Sequence, residues 1–245
     1  MRWLLAFVVL VAGATAAQAQ EKLVAVPFVG CAADGQVGPL KPPKAVKTPL
    51  LPAAVAAQLA YYVAPDEVTV LAPRGWKCWE AYGSNGSTLM VAPSLSGIDL
   101  FSKNRLRGPF VTLTVSFGRT SGRTGVASVA GLLFPIAKEF VDDVKEFTPD
   151  LKFVDITHDK LIRRSDTVVE FTTPANMDGL GTSGWADKSS WPIDGVAILI
   201  PTAGMDLVTL RIRLPPASRL LAPKIIKQMT EMVLHCECGS ERFKR

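Results

Sequence analysis

The chain has 245 residues, 48% hydrophobic and 20% charged, which excludes a disordered tail and a coiled coil. Its length suits one large domain or two small ones, with enough apolar material for a core. Its net charge of +5 is too weak and too dispersed to argue for nucleic acid.

Residues 1–19 read as a secretory signal peptide. Arg2 gives the positive start, Trp3 to Ala17 is an uncharged apolar run, and Ala17-Gln18-Ala19 is a small-x-small cleavage site. The apolar run is short for a membrane span, which needs about 20 residues. Cleavage after Ala19 removes one base and no acid, leaving a soluble chain without an integral span. The alternatives are an uncut anchor, or lipidation at Phe28-Val29-Gly30-Cys31. A lipobox would run on from the apolar stretch, and here Gln20-Glu21-Lys22 interrupts.

All four cysteines, Cys31, Cys78, Cys236 and Cys238, follow the leader, where an oxidising compartment favours bridges. Cys31 and Cys78 each sit beside turn residues, so Cys31–Cys78 is the preferred pair. His235-Cys236-Glu237-Cys238 offers three soft ligands in four residues, but a closed zinc site needs a fourth, and the other histidine is His158. A local Cys236–Cys238 bridge, or pairing with the distant cysteines, competes with metal. No metal and no cofactor is expected.

In chain order, Leu23–Val29 reads as a strand. The rest of a Pro-rich arm over residues 20–52 is extended and wraps the domain, residues 53–245. Pro52 opens a short Ala-rich helix over Ala53–Tyr62. Val68–Leu71, Trp76–Tyr82 and Thr88–Ala92 are strands, the last two joined through Gly83-Ser84-Asn85-Gly86-Ser87 as a hairpin. Phe110–Phe117 alternates, with Val111, Leu113, Val115 and Phe117 facing a core. Val126–Phe147 has helical spacing, interrupted by Pro135. Leu161–Arg164 and Thr167–Phe171 are strands, and residues 174–192 a Gly/Ser loop carrying Trp185 and Trp191. A hairpin over Gly195–Pro201 and Asp206–Leu214 and a helix over Ser218–His235 close the chain.

Strands grouped between helices predict an α+β domain. Its antiparallel sheet has about six to eight strands, with two longer helices and one short one. This layout resembles the Mog1/PsbP-like fold, a likeness of topology that carries no function.

Cys31-Ala32-Ala33-Asp34-Gly35-Gln36, with Pro73-Arg74-Gly75-Trp76-Lys77-Cys78 and Tyr82-Gly83-Ser84-Asn85-Gly86, resembles a group of exported bacterial proteins of unassigned function. The likeness covers about a quarter of the chain. It implies export and the Cys31–Cys78 pair, and no reaction.

Large rings beside a polar loop make Trp76, Trp79, Tyr82, Ser84, Asn85 and Ser87 the candidate ligand site, opposed by a plain reading as core aromatics ahead of a turn. By parity Trp76 and Tyr82 share one sheet face and Trp79 takes the other. No catalytic residue is assigned: Gly83–Ser87 is not Gly-x-Ser-x-Gly, and nothing selects a pair among Asp142, Asp143 and Glu146. Gly118–Gly125 is a basic loop ahead of a helix, superficially like an anion cradle without the Walker lysine. The expected function is a non-enzymatic binding or interaction module, periplasmic or secreted, for an envelope or extracellular ligand. The alternatives are an envelope hydrolase assembled from distant residues and metal handling through His235, Cys236 and Cys238.

Overall fold

Strand pairing in the arm is what the sequence pattern conceals. The computed structural model describes residues 21–98, 104–201 and 204–235. Instead of one strand over 23–29 there are two, β1 (Leu23–Ala25) and β2 (Phe28–Gly30). Pro27 separates them, since it has no N–H for a ladder, and its carbonyl accepts a bond from the Tyr61 amide at 2.8 Å. After Cys31 comes β3 (Ala32–Gly35), and the arm ends in β4 (Leu50–Pro52), paired antiparallel with β1.

The helix expected over 53–62 is a single turn, α1 (Ala53–Ala56), followed by β5 (Leu59–Val63). Leu59, Ala60, Tyr61, Tyr62 and Val63 are all buried. With both faces covered, the strand loses the period-two signal that would mark it. β5 pairs with β2 in parallel and with β6 (Thr69–Pro73) antiparallel, making a three-stranded sheet.

The large sheet follows. β7 (Lys77–Gly83) and β8 (Gly86–Ala92) form the expected hairpin, and β9 (Phe110–Ser116) the expected alternating strand. β10 (Lys160–Arg163), β11 (Val168–Thr173), β12 (Ile193–Ile200) and β13 (Asp206–Arg213) complete it. The order is β10-β11-β12-β13-β9-β8-β7-β3, eight strands, antiparallel except where β3 lies parallel to β7. The fold is α+β, as the grouping of strands predicts.

Pro135 splits the middle helix. α2 (Arg123–Leu133) stops at Phe134, which is extended as residues before proline prefer. A 3-10 turn, Pro135–Ala137, leads into α3 (Lys138–Phe147). The last helix begins as a 3-10 segment, Pro216–Leu221, and continues as α4 (Ala222–His235). There are therefore three longer helices rather than two.

One face of the large sheet packs on the three-stranded sheet and α4, through Leu89, Val111, Leu113, Ile198 and Leu210 against Tyr62, Val70, Ile225 and Met229. On the outer face, α2 and α3 cover Val169, Phe171, Leu199 and Leu207. Loops cover Met90, Phe110 and Ile193, with Trp79 and Trp185 packed alongside. Each such side chain taken out of water contributes about 1.5–3 kcal/mol. Between the two outer patches runs a polar strip of Thr88, Thr112, Thr209 and Arg211, all buried.

The arm changes sheets at Cys31: β2 belongs to the small sheet and β3 to the large one. Cys31 is disulfide-bonded to Cys78 on β7, with Cα atoms 5.3 Å apart. The expected pair therefore fixes the crossing point. Cys236, Cys238 and the leader lie outside the described residues. Among the described residues no helix is long and apolar enough to cross a membrane.

Candidate functional site

The β7–β8 hairpin turns through Ser84 and Asn85, with Gly83 opposite Gly86. Gly86 has φ of +129°, and a Cβ there would overlap the Val115 carbonyl oxygen, so glycine is required at this corner. The tip abuts the loop ahead of α2: Ser84 and Ser121 hydroxyls are 3.0 Å apart, and the Phe117 amide donates to the Asn85 carbonyl at 3.2 Å. In that loop, read as a basic loop that only superficially resembles an anion cradle, the Gly118 amide donates to Asp206 and the Gly122 amide to Thr120 Oγ1, so these backbone donors are spent internally.

The six residues read as a ligand site divide. Trp76 packs in the inner core, and its amide donates to the Tyr62 hydroxyl at 3.1 Å. Trp79 packs in the outer cluster beside Trp185. The Tyr82 hydroxyl donates to the Gly38 carbonyl at 2.6 Å, holding the arm. The Ser87 hydroxyl donates to Asp66. Tyr82, Asn85 and Ser87 do meet at an open pocket of about 230 Å³, while Trp76, Trp79 and Ser84 do not line it.

The pocket has further lining residues that sequence reasoning missed. Thr88, Thr114 and Ser116 come from adjacent strands and share the outer face, where Trp185 joins them from the 174–192 loop. Thr88 and Thr114 hydroxyls are 3.2 Å apart. Arg211 Nη1 donates to Thr114 Oγ1 at 3.4 Å, its Nε to the Leu180 carbonyl at 2.8 Å, and its Nη2 to Ser183 Oγ at 2.9 Å. Burial draws the Arg211 guanidinium down to about 10. Among the described residues no carboxylate forms an ion pair with it. A buried cation is costly unless paired, and here only dipoles offset that cost. The one available signal was parity: Thr112, Thr114 and Ser116 alternate with the core residues of β9.

A second cluster lies on the opposite face of the same hairpin. Glu80 on β7 is fully buried, and neither carboxyl oxygen has a hydrogen-bond partner of normal geometry. Burial first, then the adjacent Asp66 carboxyl, push it up to about 10, with the Ser87 hydroxyl acting least and in the other sense. Glu80 is thus a neutral acid at physiological pH. Its complete burial keeps ligands from it.

The remaining candidates are placed as follows. His158 is exposed on a turn. Asp142 pairs with Lys138 on the wet side of α3. His235 ends α4, and its metal reading with Cys236 and Cys238 falls outside the described residues. A larger open groove of about 850 Å³ runs between α4 and β10–β11, and its acids Glu170, Asp194 and Glu231 pair with Arg164, Arg219 and Lys227. Compared with known proteins, the chain matches no family model, no curated protein and no solved structure.

Proposed function

We propose that the protein is an exported bacterial binding module of the cell envelope, whose ligand occupies the pocket between the β7–β8 hairpin and Trp185. The observation that carries this reading is the open pocket over a polar floor on the outer sheet face. Helices cover one end and loops the other, and between them Thr88, Thr114 and Ser116 meet a half-buried indole. An aromatic wall over convergent hydroxyls is how small-ligand sites combine burial with orientation. Export is supported by the leader-like N-terminus, by the Cys31–Cys78 bridge, and by the resemblance to exported bacterial proteins.

Two measurements test the reading. Protein recovered from the periplasm or medium is expected to begin at Gln20, with Cys31 and Cys78 oxidised. A thermal-shift panel of small envelope metabolites is expected to stabilise the native protein and not Ser116→Trp, which fills the pocket. An intact N-terminus on reduced cytosolic protein, or equal shifts in both proteins, rejects the corresponding half.

A further inference from the structure

Resting on that reading, we propose that the pocket binds a small oxyanion, a carboxylate-, phosphate- or sulfate-bearing molecule, recognised by the Arg211–Thr114–Thr88 hydrogen-bond relay against Trp185. The argument starts from Arg211, which donates and never accepts. It is nine-tenths buried and no carboxylate pairs with it among the described residues. Its positive charge therefore stands uncancelled beneath the pocket floor.

Thr114 Oγ1 receives the Arg211 bond at 3.4 Å and lies 3.2 Å from Thr88 Oγ1. The two threonines own two hydroxyl hydrogens and use one between them. Whichever donates, the other hydrogen is left for an occupant of the pocket, which both residues line. The floor thus presents a donor backed by a cation, a pairing suited to an anionic acceptor. Ser116 Oγ and the Asn85 amide are at hand to donate as well.

None of the residues lining the pocket is acidic, and the carboxylate that one of them holds, Asp66 on Ser87, belongs to the turn between β5 and β6 on the other side of the sheet. The volume of about 230 Å³ lies below the roughly 300 Å³ at which drug-sized pockets begin. That limits the occupant to a small molecule or a single headgroup.

The test follows the Trp185 indole N–H by NMR, assigned with Trp185→Phe. The full protein is titrated at fixed chloride ionic strength with inorganic phosphate, sulfate and acetate. Glycerol and glucose serve as neutral probes. At least one oxyanion is expected to shift the resonance saturably, with binding weakened about tenfold or more in Thr88→Val and in Thr114→Val. Arg211→Gln is expected to abolish it, but Arg211 also holds Leu180, so the threonine variants, each confirmed folded by its spectrum, carry the decision. Oxyanion binding unchanged in both threonine variants overturns the relay. A response to neutral probes alone overturns the anion and leaves the pocket as a ligand site. An indole that no probe moves overturns both.

Discussion

Ser87 on β8 gives its hydroxyl hydrogen to Asp66, in the turn between β5 and β6, and so bonds the eight-stranded sheet to the three-stranded one. Glu80, two strand positions from Cys78, is buried beside this bond. One sheet interface thus carries a disulfide and, a few residues along the same strand, a carboxyl pair that keeps a proton. Both tie the arm and the small sheet to β7–β8, whose outer face forms the pocket floor.

The buried acid fixes the sign of a pH dependence. Glu80 holds its proton to about 10 in the fold, against an ordinary value of 4.5. Between those limits the unfolded chain binds fewer protons, so stability falls as pH rises, by at most about 1.4 kcal/mol per pH unit. Burial moves Asp159 and Asp206 the same way, so part of the slope belongs to them. Glu80→Gln cannot lose a proton. Urea unfolding at pH 5, 7 and 9 is expected to show the variant gaining on the native protein with each step. Parallel pH profiles for the two proteins would refute the assignment.

The disulfide spans a sequence separation of 47 residues. In the chain-entropy model a loop of that length is worth about 4 kcal/mol. The double variant Cys31→Ala, Cys78→Ala is expected to lose about that much in denaturant unfolding, and reduction of the native protein the same. A loss under about 1 kcal/mol would mean that the sheet crossing at Cys31 holds without its bridge.

Two glycines should respond in opposite directions. Gly86→Ala forces a side chain into a left-handed conformation and into the Val115 carbonyl, at a cost of about 1–3 kcal/mol or more. Gly125 lies in the first turn of α2 with nothing within 4 Å of an added Cβ. Gly125→Ala should therefore stabilise by about 0.5–1 kcal/mol, or roughly 1–4 °C in Tm. Thermal melts of the two variants check both signs, and a Gly86→Ala protein that melts with the native one would deny the corner its constraint.

The hairpin, β9 and the apolar stripe through α2 and α3 were readable because each follows a local period. β5 was not: Leu59–Val63 is apolar throughout and buried, and an Ala-rich approach imitates a helix until β2 and β6 are known to pair along its two edges. The site was half legible for a similar reason. Tyr82 and Ser87 look available in sequence, yet each gives its hydroxyl to a distant partner, Gly38 or Asp66. Thr114 and Arg211 look like ordinary outward positions on alternating strands. Only the fold of the 174–192 loop, which brings Leu180, Ser183 and Trp185 over them, turns that strip into a pocket floor.

Arg213 sets the position of the loops beside the pocket. It is fully buried, with its guanidinium 4.9 Å from the Phe110 ring centre. Its Nη1 donates to the Arg107 carbonyl at 3.1 Å and to those of Leu106 and Gly108 at 3.4 Å, and its Nη2 donates to the Asp187 carbonyl. Leu106 in turn donates to the Trp185 carbonyl at 2.6 Å and accepts from the Asp187 amide. A lysine is a point charge that cannot span both loops as the planar fork does. Arg213→Lys is therefore expected to leave buried carbonyls unpaired and to cost about 2–3 kcal/mol. The loss should appear locally first, as faster hydrogen exchange at the Leu106 and Asp187 amides and a shifted Trp185 indole, while exchange in β9 and β12 stays slow. Unchanged exchange at those two amides would show that the loops hold the Trp185 wall without Arg213.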